Sequence, residues 1–244
     1  MRIALPVAAA LLLVSPMAVR AATFSIFPVR IDLSEQEPVQ TMTVQNGSDA
    51  PTRVQVRIRA WRQENGEDVF EETRDVLVNP AMFEIGPGEQ QIARFGMRTK
   101  AAAVEKSYRI FLEEVPSSAP RAPGQIQTLL RISLPMFVPA EQAAPTKLNW
   151  SLWPSGAHQV TLSIRNDGLS HAHLSGLSLM GRDGHVLGKQ GRAVYILPGA
   201  TQSVLIDVKT PVAAGERLKL TASSDQSSLS AEIVSQAGPH DSRP

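Results

Sequence analysis

Residues 53–61 read Arg53-Val54-Gln55-Val56-Arg57-Ile58-Arg59-Ala60-Trp61, a strict two-residue alternation. Successive side chains of an extended strand point to opposite sides, so Val54, Val56, Ile58 and Ala60 share one face and Arg53, Gln55, Arg57 and Arg59 the other. One face is buried and one is wet, as in an antiparallel sheet that forms half of a sandwich.

The flanking sequence extends this reading. Segments rich in Val, Ile, Thr and aromatics at 24–33, 39–45, 52–62, 90–98, 107–115 and 125–138 alternate with Gly, Pro, Asn and Asp clusters. No segment keeps a 3.6-residue period over three turns, so the expectation is an all-β chain. Pro139-Ala140-Glu141-Gln142-Ala143-Ala144-Pro145 has neither period and a Pro at each end, and reads as a connector. Beyond it the strand pattern resumes at 148–152, 160–165, 174–180, 193–197, 202–209 and 217–222.

Two echoes link the halves. Ile85-Gly86-Pro87-Gly88-Glu89-Gln90-Gln91 is matched by Ile196-Leu197-Pro198-Gly199-Ala200-Thr201-Gln202, and Val44-Gln45-Asn46-Gly47 by Ile164-Arg165-Asn166-Asp167-Gly168. They favour two related sandwiches: a first domain over 22–139, a linker over 140–146, a second domain over 147–236 and a flexible tail over 237–244.

The N-terminus has a charged start at Arg2, an apolar run through Val14 and a small-residue exit at Val19-Arg20-Ala21, which reads as a secretory signal peptide over 1–21. Ser15, Pro16 and Arg20 interrupt the run short of the roughly 20 apolar residues of a membrane span. Cleavage near Ala21 or Ala22 places the mature chain in the periplasm. Removing Arg2 and Arg20 from 24 basic residues leaves 22 against 23 acidic ones, a net charge of −1. Such a balance argues against a nucleic-acid-binding module. With 0 cysteines, an exported chain must hold its fold by burial rather than by cross-links.

The motifs of catalysis are missing from this sequence. No Ser sits in a Gly-x-Ser-x-Gly turn, and no His-Glu-x-x-His occurs. His171 and His173 share one face of an extended segment without a third ligand at suggestive spacing, and read as polar residues near a turn, as do His158 and His185. Glu71-Glu72 and Glu113-Glu114 are adjacent on strands, so the members of each pair point apart and cannot flank one glycosidic bond. Pro87 removes a backbone donor from Gly86-Pro87-Gly88, which therefore cradles no phosphate. The reading is a non-enzymatic protein without a small-molecule substrate, catalytic residue, metal or cofactor.

Function points instead to Gln125-Ile126-Gln127-Thr128-Leu129-Leu130-Arg131-Ile132-Ser133-Leu134. Ile126, Thr128, Leu130, Ile132 and Leu134 form one face, apolar except for Thr128. The Pro-rich connection 116–124 precedes it, which places the strand at a sheet edge. Proteins usually blunt such an edge with charge. An edge left sticky is suited to pairing with another chain by β-augmentation, and equally these residues can face their own domain's core.

Residues 105–116, Glu105-Lys106-Ser107-Tyr108-Arg109-Ile110-Phe111-Leu112-Glu113-Glu114-Val115-Pro116, resemble the signature of PapD-like periplasmic pilus chaperones. Phe27-Pro28-Val29-Arg30-Ile31, Ala60-Trp61 and Phe83-Glu84-Ile85-Gly86-Pro87-Gly88 are similar to further landmarks of that family. Two departures, Phe111 at a common Asn position and 131–137 without the usual Lys, bring the chain nearer the divergent Csu-like branch. The resemblance implies two immunoglobulin-like sandwiches in a boomerang, and a donor strand that fills the groove of an incomplete pilus subunit. It further implies hand-over to an outer-membrane usher and two cleft cations holding the subunit's terminal carboxylate. Arg30 matches the first cation. Arg131 is the nearest basic residue for the second, although Ser133 or Leu134 falls on the Lys position depending on one gap. The same sticky strand offers the free chain a route to self-association. The alternatives are an exported pilin or adhesin of similar sandwich type, and a periplasmic hydrolase.

Overall fold

The computed structural model describes residues 24–116, 128–142, 146–225 and 227–238. The expected signal peptide, Ile126 with its neighbours at 125 and 127, and the end of the tail lie outside these residues. The first domain contains β1 (Phe24–Phe27), β2 (Ile31–Asp32), β3 (Val39–Asn46), β4 (Thr52–Glu64), β5 (Glu67–Glu72), β6 (Val76–Asn79), β7 (Met82–Ile85), β8 (Gln90–Met97), β9 (Lys106–Glu114) and β10 (Arg131–Val138). The second contains β11 (Leu148–Gly156), β12 (Gln159–Asn166), β13 (Ala172–Met180), β14 (Val186–Gln190), β15 (Val194–Ile196), β16 (Thr201–Asp207), β17 (Arg217–Ser224) and β18 (Ser228–Val234). No helix occurs among the described residues.

Each domain is a sandwich. In the first, the sheet β1-β3-β8-β6 packs on β2-β10-β9-β4-β5, with β7 added to β4. In the second, β11-β12-β16 packs on β14-β13-β17-β18, with β15 added to β13. Inward residues such as Met42, Phe95, Val56, Ile110 and Met136 fill the first core, and Leu152, Ile164, Leu174, Ile206 and Leu220 the second.

β4 follows its alternation for most of its length. Val54 and Val56 are buried, Ile58 and Ala60 pack on the same core, and Arg53 and Arg57 are exposed. At its end the rule changes. Trp61 lies on the arginine face yet is only 4% exposed, because the second domain covers that end of the sheet and Trp61 joins its core.

The segment expected as one strand at 24–33 is two strands in different sheets. β1 pairs antiparallel with β3, whereas β2 pairs parallel with β10. Pro28, which has no ladder donor, lies between them. β5 was not expected from the charged run Glu67-Asp68, but Asn65 (φ 51°) and Gly66 (φ 82°) form the two left-handed positions of a tight hairpin turn. β6, β7 and β14 also lie outside the expected strands, being short; β18 lies outside them too, although Leu229, Ala231 and Ile233 alternate there with Ser228, Ser230 and Glu232.

The sequence echoes are equivalent turns. Asn46 Nδ2 donates to the carbonyls of Ala50 (2.8 Å) and Ile85 (3.0 Å), while Asn166 Nδ2 donates to Ser170 (2.8 Å) and Ile196 (3.0 Å). Each asparagine carbonyl accepts the N–H of the glycine in the paired Pro-Gly turn, Gly88 at 2.9 Å and Gly199 at 2.8 Å. Those glycines have φ 71° and 74°, in the left-handed region that a side chain disfavours.

Candidate functional site: an open strand edge and an interdomain cleft

β10 pairs with β9 along its whole length, from Arg131 opposite Glu113 to Val138 opposite Lys106. Its other side meets β2 only at Met136 and Phe137. Among the described residues, the edge from Arg131 to Pro135 is therefore unpaired. Pairing with β9 continues one residue upstream, where Leu130 N–H donates to Glu114 Oε2 (3.2 Å) and Leu130 O accepts Glu114 N–H (2.9 Å).

The strand has two faces of different character. Ile132 and Leu134 share the core-facing side with the fully buried Met136 and Val138 but remain half-buried. Thr128 is exposed and Leu130 half-buried. The apolar face thus runs continuously from packed core to open edge. Arg131, Ser133, Pro135 and Phe137 occupy the other face.

Phe137 carries that second face into the domain junction. Its ring stacks on His171 (3.7 Å, 6°), lies 6.2 Å from Trp61, and has the Arg30 guanidinium 5.1 Å above its centroid. Arg30 Nε donates to both Asp32 oxygens (3.0 and 2.9 Å), and Nη1 crosses to Asp225 Oδ2 in the second domain (2.9 Å). Burial works against the charge, but the hydrogen bond and charge of Asp32, with Asp225, outweigh it and raise the Arg30 pKa. Asp225 Oδ1 also binds His173 Nδ1 at 2.6 Å.

Further polar links cross the junction, among them the Glu105 N–H donating to Leu169 O at 2.9 Å. Glu105 Oε1 accepts the His171 backbone N–H (3.1 Å) and contacts its Nδ1 (2.8 Å), with both side chains under 10% exposed. Gln63 donates to Tyr195 O (3.0 Å) and accepts the Leu197 N–H (2.9 Å). His171 and His173 are each engaged by a carboxylate, and no group of three or more His, Asp and Glu among the described residues is placed to hold a metal. The adjacent acids diverge as expected: Glu113 meets Arg131 and Arg57, whereas Glu114 binds Leu130 N–H.

Arg30 and Arg131 are not brought together. Arg131 lies five residues before Met136, the partner of Ile31, or about 17 Å along the strand. It pairs with Glu113 (3.1 Å) and covers the Phe111 ring at 4.5 Å, which Phe70 meets edge-on at 5.3 Å. This explains why Phe111 is only 6% exposed on an outward face. Ser133 is exposed and Leu134 turns to the core, and neither side chain carries a charge.

A second cation at the junction, beside Arg30, is Arg109, opposite Pro135 on β9. Its guanidinium lies 3.8 Å over Trp61 and 5.3 Å from Tyr195. Burial lowers its pKa, with Asp68 and Tyr195 acting the other way. Its sequence signal was parity: Arg109 shares a face with Phe111, and its cross-strand partner Arg59 shares a face with Trp61. Alternation alone predicts that face to be solvated.

Residues 23–143 match the sequence model of the pili and flagellar-assembly chaperones, PapD N-terminal domain. The chain belongs to the PapD-like pilus chaperones. Within the family signature, Glu105 bridges the domains, Tyr108 is buried with its hydroxyl donating to Asp75 Oδ2 (2.7 Å), and Leu112 packs in the core. Burial and the Asp75 contact push the Tyr108 pKa far above its ordinary value.

Solved structures share the two-domain fold. The CsuC-CsuE chaperone-tip adhesion subunit pre-assembly complex of Acinetobacter baumannii aligns with TM-score 0.66 and 22% identity over 88% of this chain and 100% of the matched one. The Salmonella enterica SafA pilin–SafB chaperone complex aligns at 0.59 and 16%, over 89% and 98%. The Pseudomonas aeruginosa CupB2 chaperone aligns at 0.54 and 18%, over 85% and 98%. No curated protein matches the chain.

Proposed function

We propose that the protein is a periplasmic chaperone that lends the 126–134 segment and the open edge of β10 to an incomplete pilus subunit, then passes the subunit to an outer-membrane usher. The supporting observation is the unpaired edge at Arg131–Pro135, whose apolar face at Ile132 and Leu134 is continuous with the first domain's core. A strand added there gains ladder hydrogen bonds and apolar cover together. The work is binding, driven by subunit folding, with no catalytic step.

Arg30 is the proposed carboxylate anchor. It is held by Asp32 and Asp225, so an arriving carboxylate exchanges with Asp225 rather than meeting a bare cation. Arg131 is committed to Phe111 and Glu113 and is not proposed as its partner.

The test is co-expression with pilins encoded nearby and pull-down of the wild type, Arg30→Ala and Leu130→Glu. Loss of subunit by Leu130→Glu and weakened retention by Arg30→Ala are expected. Equal retention by all three rules strand lending out. Assays of the purified protein against ester and glycoside panels should show no turnover.

A further inference from the structure

On the β4–β5 side of the domain junction lies a pocket of about 590 Å3. Its walls are the β4–β5 hairpin (Trp61, Gln63, Asp68), Arg109, and Gln190, Arg192 and Tyr195 of the second domain. Arg30 does not line it.

Two buried polar atoms here have no hydrogen-bond partner: Arg109 Nε, a donor, and Gln190 Oε1, an acceptor. A buried polar group left unpaired costs more than an ordinary hydrogen bond gains, so such atoms call for an explanation. The lining has two arginines against one carboxylate, Asp68, already bound by Trp61 Nε1 (2.8 Å) and Gln63 Nε2 (3.0 Å). The missing acceptor is therefore suited to an anion. A fully ionised inorganic anion would leave Gln190 unpaired; a group that also carries an N–H would not.

We propose that this pocket binds a polypeptide segment presenting a carboxylate beside a backbone N–H, the carboxylate meeting Arg109 and Arg192 and the N–H meeting Gln190. The stacking of Arg109 on Trp61 fixes the fork before the ligand arrives, which lowers the ordering cost of binding. The segment comes either from the subunit, which rests on the chaperone reading, or from a free acidic peptide.

Trp61 lies under Arg109, so tryptophan fluorescence of the full chain reports occupancy. The probes are a capped alanine-glutamate-alanine tripeptide, its glutamine analogue and sodium acetate. The glutamate peptide should bind saturably, with both others about tenfold weaker or worse. Arg109→Gln and Gln190→Leu should each weaken the glutamate peptide about tenfold, Gln190→Leu leaving the acetate response unchanged. Equal binding of the glutamate and glutamine peptides, or no saturable change at about 10 mM, overturns the proposal. Subunit yield that falls with Gln190→Leu identifies the subunit as the source; unchanged yield overturns that source. Failure of strand lending is read separately, from Leu130→Glu.

Discussion

Asn46 and Asn166 are both fully buried, and each ties a strand end to a Pro-Gly turn, 39 and 30 residues away in sequence, through its side-chain amide, backbone carbonyl and backbone N–H. Replacing Asn166 by Ala leaves the carbonyls of Ser170 and Ile196 without those donors. A cost of about 2–4 kcal/mol is expected in urea unfolding. Arg131→Ala should behave differently. Its side chain is 63% exposed and its Glu113 pair is open to solvent, so stability should change by less than about 1 kcal/mol by the same measurement. The sequence displayed both asparagine turns as echoes, but nothing local marked either residue as buried. For Arg131, alternation gives the face, while the distance from Arg30 depends on how β2 pairs with β10.

Among the elements, β4 was the most legible, since two-residue alternation survives wherever one face meets a core and the other meets water. It failed at Trp61, where a second domain replaces the water. β10 was legible in its alternation and in its edge position, and among the described residues its pairing with β9 begins at Leu130. The split of 24–33 into β1 and β2 is marked locally only by Pro28, since a parallel contact with a strand over 100 residues later leaves no mark of its own. The β4–β5 hairpin is a place where local chemistry does decide. Gly66 has φ 82° and open space around it, so Gly66→Ala meets no clash and pays only backbone strain, about 1 kcal/mol. The same turn carries Gln63 against the second domain, so this variant should also weaken that contact, seen as faster amide exchange at Leu197.

At the scale of the whole molecule, the domains are joined by aromatic packing of Trp61, Phe137, His171 and Tyr195 and by polar links through Arg30, Gln63 and both the side chain and the backbone N–H of Glu105. Phe137 belongs to the lending strand, so the strand is positioned by the second domain as well as by its own sheet. That gives the junction a functional consequence: loosening it should loosen the strand. Glu105→Ala removes a buried acceptor from both the ring and the backbone N–H of His171, a loss of about 3–5 kcal/mol if the pair is charged and about 1–3 if it is neutral. Calorimetry of the wild type should show one unfolding transition, because Trp61 and Phe137 of the first domain are built into the core of the second. Glu105→Ala combined with Gln63→Ala should split it into two, and hydrogen exchange at the Ile132 and Leu134 amides should rise in the same variant. Two transitions with unchanged exchange on β10 would mean that the sheet alone holds the strand; a single transition would mean that the ring cluster suffices to couple the domains.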